Sequence, residues 1–248
     1  MKKIILATMI ATSFSMADFI GGEVDVGYYT HNPSGTAQYK GDSIDVENDL
    51  KWENEQDIFF KAYFEHPIPI IPNIKVGYTD FSHSGDGIAN QSFRFSGREY
   101  SNRSTISSNM DLKMYDITLY YEFLDNWLSL DAGVNLKYID GDISVKGVDS
   151  NGRPVYESTD FQVPIPMLYG KVRLDVPATD LSFQVEGNYI SYDDNMLYDM
   201  EAGARYTFAL GFGIEAGYKL FKINIEDVSD FSMDTNFDGF YGKLVWDF

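Results

Sequence analysis

The last nine residues, Phe240-Tyr-Gly-Lys-Leu-Val-Trp-Asp-Phe248, alternate strictly, with Phe240, Gly242, Leu244, Trp246 and Phe248 on one face and Tyr241, Lys243, Val245 and Asp247 on the other. A period of two is the period of a β-strand. A strand that is apolar on one side, charged on the other and ends on an aromatic ring suits a wall between lipid and water. Such a strand cannot stand alone in hydrocarbon, where an open sheet edge leaves backbone N–H and C=O groups unsatisfied, so the sheet must close. The pattern should therefore recur along the chain.

Nine earlier stretches repeat it: 23–30, 58–65, 74–80, 114–123, 128–139, 167–176, 181–189, 199–208 and 212–221. The fifth is the clearest, with Leu128, Leu130, Ala132, Val134, Leu136 and Tyr138 against Ser129, Asp131, Gly133, Asn135, Lys137 and Ile139. Its length is that of a tilted membrane strand. The connections alternate long and short. Polar excursions near 31–57, 81–111, 140–162, 191–195 and 222–235 are separated by tight joins. One join, 66–73, holds three prolines, which lack the N–H a central strand needs and so belong in a turn. Long loops at every other connection are the habit of a barrel with short periplasmic turns and long outer loops, and not of a soluble sandwich. The expected fold is all-β, a closed antiparallel up-and-down transmembrane barrel of ten strands.

The N-terminus agrees with this. Met1-Lys2-Lys3, the apolar run Ile4–Phe14 and Ser15-Met16-Ala17 read as a signal peptide over residues 1–17, which leaves an outer-membrane barrel domain over 18–248. Losing Lys2 and Lys3 takes the net charge from −19 to about −21. That acidity argues against nucleic acid as a partner. No stretch has the roughly 20 apolar residues of a spanning helix. There are no cysteines, so the fold is not stapled by disulfides. The expected location is the outer membrane of a Gram-negative cell. Expected partners are outer-membrane lipid and lipopolysaccharide, and the barrel-assembly machinery through the strand ending in Phe248.

On the sheet's other face lies a band of charge. Lys61, Glu65, Asp116, Asp131, Lys137, Lys171, Arg173, Glu186, Glu201, Arg205, Glu215, Lys219 and Lys243 all fall on the polar side of their strands, as do Glu23, Asp25 and Lys75. Arg or Lys turned to lipid near the midplane costs about 2–4 kcal/mol, so these side chains are expected to face the lumen. Two outcomes follow: an ion-paired plug that rigidifies the barrel, or a narrow water-filled pore of mixed charge. Outward aromatics fall into two bands, Phe64, Phe123, Trp127, Phe208, Phe212, Trp246 and Phe248 at one end, and Tyr28, Tyr78, Tyr138, Tyr189, Tyr198 and Tyr218 at the other.

The stretches His66-Pro-Ile-Pro-Ile-Ile-Pro-Asn73, Thr118-Leu-Tyr-Tyr-Glu-Phe-Leu-Asp-Asn-Trp127, Pro166-Met-Leu-Tyr-Gly-Lys171, Ser191-Tyr-Asp-Asp-Asn195 and Asn236-Phe-Asp-Gly239 resemble a family of outer-membrane β-barrel proteins of Gram-negative bacteria. The resemblance spans essentially the whole mature chain. It implies fold and location and brings no activity with it.

Candidate chemistry is sparse, and the chain is expected to be neither an enzyme nor a cofactor protein. Of the histidines, His31 and His83 fall near the outer rim, and an Asp80/His83 pair is conceivable as a rim hydrolase by analogy with ten-stranded outer-membrane proteases, although no catalytic motif surrounds it. Asp234-Thr-Asn-Phe-Asp-Gly239 begins like a calcium loop, but the twelfth position is Val245, which rejects an EF-hand. Asp227, Asp230 and Asp234 remain weak metal candidates, with divalent cations bridging acidic loops to lipid as the functional version and a solvated acidic fringe as the alternative. The segments 31–57, 81–111 and 140–162 are the natural surface for adhesion or ligand binding.

Overall fold

The computed structural model describes residues 21–228 and 230–248, so the signal-peptide segment lies outside the described residues. Ten strands form the wall: β1 (Gly21–Tyr39), β3 (Glu55–Glu65), β4 (Asn73–Ile88), β7 (Thr105–Leu124), β8 (Leu128–Val148), β9 (Pro154–Asp175), β10 (Leu181–Tyr192), β11 (Asn195–Thr207), β12 (Phe212–Val228) and β13 (Phe231–Asp247). Each pairs antiparallel with the next, and β13 returns to β1 from Glu23↔Asp247 to Tyr39↔Phe231, closing the barrel. The seam is finished by two backbone bonds, Gly22 N–H to Phe248 O and Phe248 N–H to Gly22 O, both 2.8 Å. Three short strands, β2 (Ile44–Asp45), β5 (Phe93–Phe95) and β6 (Arg98–Tyr100), belong to the outer connections, and a 3-10 turn spans Ala209–Gly211. No helix of the described residues is long and apolar enough to cross a membrane.

The outer connections are much shorter than the sequence suggests. β7, β8 and β9 run for 20, 21 and 22 residues. Crossing a bilayer takes about 9–11. Most of 31–39, 81–88, 105–111 and 140–162 is therefore wall rather than loop. The two faces exchange character at the row Tyr78↔Tyr115↔Tyr138. On the short-turn side of that row the strands show Ile117, Leu119, Val134 and Leu136 outward. Beyond it the outward residues are Asp80, Lys113, Asp111, Asp140 and Asp142, while Phe81, Met110, Leu112, Ile139 and Ile143 turn inward and are buried. One continuous strand thus serves lipid at one end and water at the other.

Three prolines, Pro154, Pro164 and Pro166, lie within β9 and not in a loop. Their tolerance has a physical cause. β10 pairs with β9 only from Ser182↔Asp175 to Tyr189↔Leu168, so the stretch before Leu168 is bonded to β8 alone and its other edge needs no N–H donors. Pro33 in β1 is comparable, because pairing with β3 stops at His31↔Glu55.

Close packing inside the wall depends on glycine at a few places. A Cβ on Gly27 would lie 2.1 Å from the ring of Phe59, its cross-strand neighbour. Gly27→Val is therefore expected to destabilise the barrel by about 1–3 kcal/mol, as overpacking does. Urea unfolding of the refolded protein measures it, with Gly170→Ala on β9 as a comparison, where the nearest atom to an added Cβ is the Asp131 carbonyl oxygen at 3.9 Å.

Candidate functional site

The lumen is where this chain concentrates its polar chemistry, and every strand contributes to it by sending alternate residues inward. At its centre Lys243 on β13 reaches Asp25 at 2.8 Å and both Glu201 and Glu215 at 3.3 Å. Arg205 holds Glu23 with two nitrogens, at 2.6 and 2.8 Å, and gives its Nε–H to Glu215 at 2.9 Å. Lys61 lies 2.7 Å from Glu201 and 3.6 Å from Glu186, and Lys75 also pairs with Glu186. Lys137 binds Asp116 at 2.8 Å and Asp199 at 3.2 Å, and Lys219 binds Asp199 at 2.8 Å. Tyrosines take remaining lone pairs: Tyr63 donates to Glu186 (2.8 Å), Tyr120 to Glu65 (2.9 Å) and Tyr241 to Glu215 (2.6 Å).

Of the sixteen charged positions read from the alternation, thirteen join this inward ion-pair and hydrogen-bond network, Glu23, Asp25 and Lys75 among them. Asp131, Lys171 and Arg173 instead line the short-turn end of the lumen. The candidate set read from the sequence left out Asp199 and the four tyrosines Tyr63, Tyr120, Tyr169 and Tyr241, although alternation puts all five on the inward faces. Their signal was available, since Asp199 precedes Glu201 by two positions and Tyr241 precedes Lys243 by two.

The cavity beside Lys61, Asp116, Glu186 and Lys219 is about 20 Å³. That is room for a single water.

Above the ion pairs the lumen changes from charged to aromatic. The segment between β1 and β3 folds back into the barrel and buries Ile44, Val46, Leu50 and Trp52. An Asx turn shapes it, Asp45 Oδ1 accepting from the backbone N–H of Glu47 and Asn48. Gly85 lets it seat, because a Cβ there would meet Lys51 O at 2.1 Å. Phe237 packs edge-on to Phe81 with centroids 4.9 Å apart and stacks on His83 at 5.0 Å. The β5–β6 hairpin buries Phe93, Phe95 and Tyr100 as a further cover.

Two histidines sit in this core. His31 Nε2 lies 2.9 Å from Asp57, His31 Nδ1 lies 2.8 Å from His83 Nε2, and His83 Nδ1 lies 2.9 Å from the Glu53 carbonyl. Three such contacts need three protons, and two neutral imidazoles carry two. The Asp57 carboxylate also accepts from Ser82 N–H at 2.8 Å. His83 is the neutral ring, pushed down to about 3 by burial and by the neighbouring His31.

A ring depressed from its ordinary value near 6.5 favours folding fully above that pH, and the contribution is lost as pH falls from there toward about 3. Thermal stability of the wild type is expected to drop more steeply across this window than that of His83→Gln. Parallel slopes in thermal melts at stepped pH would remove His83 from the account.

Asp80 and His83 do not meet: Asp80 points to the outer surface and His83 is buried inside. Three positions apart on a strand puts two residues on opposite faces. Nor do the acidic-loop candidates gather. Among the described residues no three His, Cys, Asp or Glu side chains converge on a metal-sized site, and Asp234 is paired with Lys222 at 2.8 Å.

The class that this geometry defines is the outer-membrane type of β-barrel, closed, antiparallel and apolar on the outside below its tyrosine row. A scan against protein-family models finds no match, and a search of curated proteins finds none. Solved structures with overall similarity include the outer-membrane protease OmpT from Escherichia coli, at 11% identity and TM-score 0.47, covering 95% of this chain and 100% of that one. Another is the translocator domain of the autotransporter NalP from Neisseria meningitidis, at 12% identity and TM-score 0.43, covering 99% of this chain and 94% of that one. Ail, the attachment invasion locus protein of Yersinia pestis, matches at 12% identity and TM-score 0.36, covering 93% and 100%.

Proposed function

We propose that this chain is an integral outer-membrane barrel with a closed lumen and a structural role, neither conductive nor catalytic. The observation that carries the reading is the filling of the lumen by two different means, an ion-paired layer at membrane depth and an aromatic core above it, with a cavity of about 20 Å³ beside Lys61, Asp116, Glu186 and Lys219. Buried ion pairs add little net stability but are costly to break singly, so they favour one rigid arrangement. The exposed ring of Phe248 at the end of β13 supports hand-over by the barrel-assembly machinery. Cell fractionation should place the protein with the outer membrane. Proteoliposomes carrying it should swell in small sugars no faster than protein-free vesicles; faster swelling would reject the closed lumen.

Adhesion is a second reading, favoured by the height of the β8–β9 hairpin, about twice what the bilayer requires. It also carries exposed Tyr156. Shortening that hairpin within 140–162 would abolish surface binding and leave the membrane barrel intact.

A further inference from the structure

At the end of the short turns the lumen opens into a vestibule of about 320 Å³, roofed by the ion-pair network and so a dead end. Its charge is unbalanced. Arg173 is taken up by Asp175 at 2.9 Å and Asp247 at 3.8 Å, and Glu23 by Arg205. Among the described residues that leaves Glu65, Glu122, Asp125 and Asp131 on the wall facing one cation, Lys171.

Asp131 is the telling group. It is only 5% exposed, it lines the vestibule, and among the described residues neither of its oxygens has a hydrogen-bond or ion-pair partner. Lys171 is its direct cross-strand neighbour, yet the ammonium sits over the Tyr63 ring, 4.5 Å from its centroid, and makes no ion pair within 4 Å among the described residues. Glu122 on β7 is the other direct cross-strand neighbour of Asp131, and Glu65 and Asp125 line the same wall. Carboxylates crowded on one wall of a recess, with few cations between them, raise one another's cost of ionisation. A compact metal ion does not answer this, because no three acidic side chains of the described residues converge closely enough to hold one.

We propose that the vestibule is a binding site for a small linear organic polycation of the polyamine class. Ammonium groups spaced along a flexible methylene chain reach separated carboxylates that a single ion cannot bridge. The ligand enters from the short-turn side, which the outer-membrane reading puts in the periplasm, and it stops at the roof.

Spermidine is the probe, titrated calorimetrically into the refolded full-length barrel in detergent at physiological salt. Saturable one-to-one binding is expected, weakened at least tenfold by Asp131→Asn and lost in Ser129→Lys, which places a cation on the vestibule wall. Magnesium at matched charge should not displace it. Folding of each variant is checked by heat-modifiable migration in gels, and if Asp131→Asn does not fold, Ser129→Lys against Ser129→Gln decides. The proposal is overturned if spermidine gives no saturable heat, if magnesium displaces it equally well, or if folded Ser129→Lys binds it as the wild type does. The closed-lumen reading stands or falls separately, on solute flux.

Discussion

Lys243→Met is expected to cost the folded barrel about 3–5 kcal/mol, the penalty of removing one partner from a buried ion pair. Lys243 is fully buried and touches three carboxylates. Glu201 keeps Lys61 and Glu215 keeps Arg205, but Asp25 has no other partner among the described residues, and one of its oxygens is already unbonded. The loss is therefore localised on Asp25. Lys243→Met combined with Asp25→Leu should recover most of the stability, since an apolar pair of similar volume replaces an ion pair at little cost. Urea unfolding of the refolded barrel, followed by fluorescence of its three tryptophans, reads both variants. Equal midpoints for wild type and Lys243→Met would mean that the ion pairs are not what fixes the lumen.

Phe237→Ala tests the other half. Phe237 is fully buried between Phe81, His83, Phe221 and Trp52, and its carbonyl accepts the Tyr29 hydroxyl at 2.6 Å. Removing a buried ring of this kind costs about 3–5 kcal/mol. The loss should fall on the outer half, because the membrane half is held by a separate set of contacts. Cleavage by trypsin after Lys51, in the segment tucked into the barrel, is expected to accelerate at least about tenfold as local opening becomes easier, while the membrane strands stay protected. A uniform loss of protection along the whole chain would contradict a two-part lumen.

The membrane half was readable in the residues because lipid and lumen impose opposite demands on alternate positions. Leu128 to Tyr138 could have only one assignment, and the same logic turned Lys137 and Lys171 inward. The outer half was harder, because the demands reverse there. Phe81, His83, Met110, Leu112 and Ile143 keep the period of two, but their partners are Ser, Asn and Asp, so the stretches look like solvated loops. The prolines of β9 fit a strand there because its outer stretch has no β10 partner. Contacts such as His31 with His83 join residues 52 positions apart, and no local pattern announces them. The Asp80/His83 pairing failed for the opposite reason, because strict alternation already places those two residues on different faces.

The most direct test is single-channel recording of the refolded protein in a planar bilayer. A barrel whose lumen is crossed by the ion pairs of Lys61, Lys137, Arg205 and Lys243 should insert and stay electrically silent. Stable unitary steps, changed in size by Lys137→Glu, would contradict the closed lumen and establish a pore through the ion-pair layer.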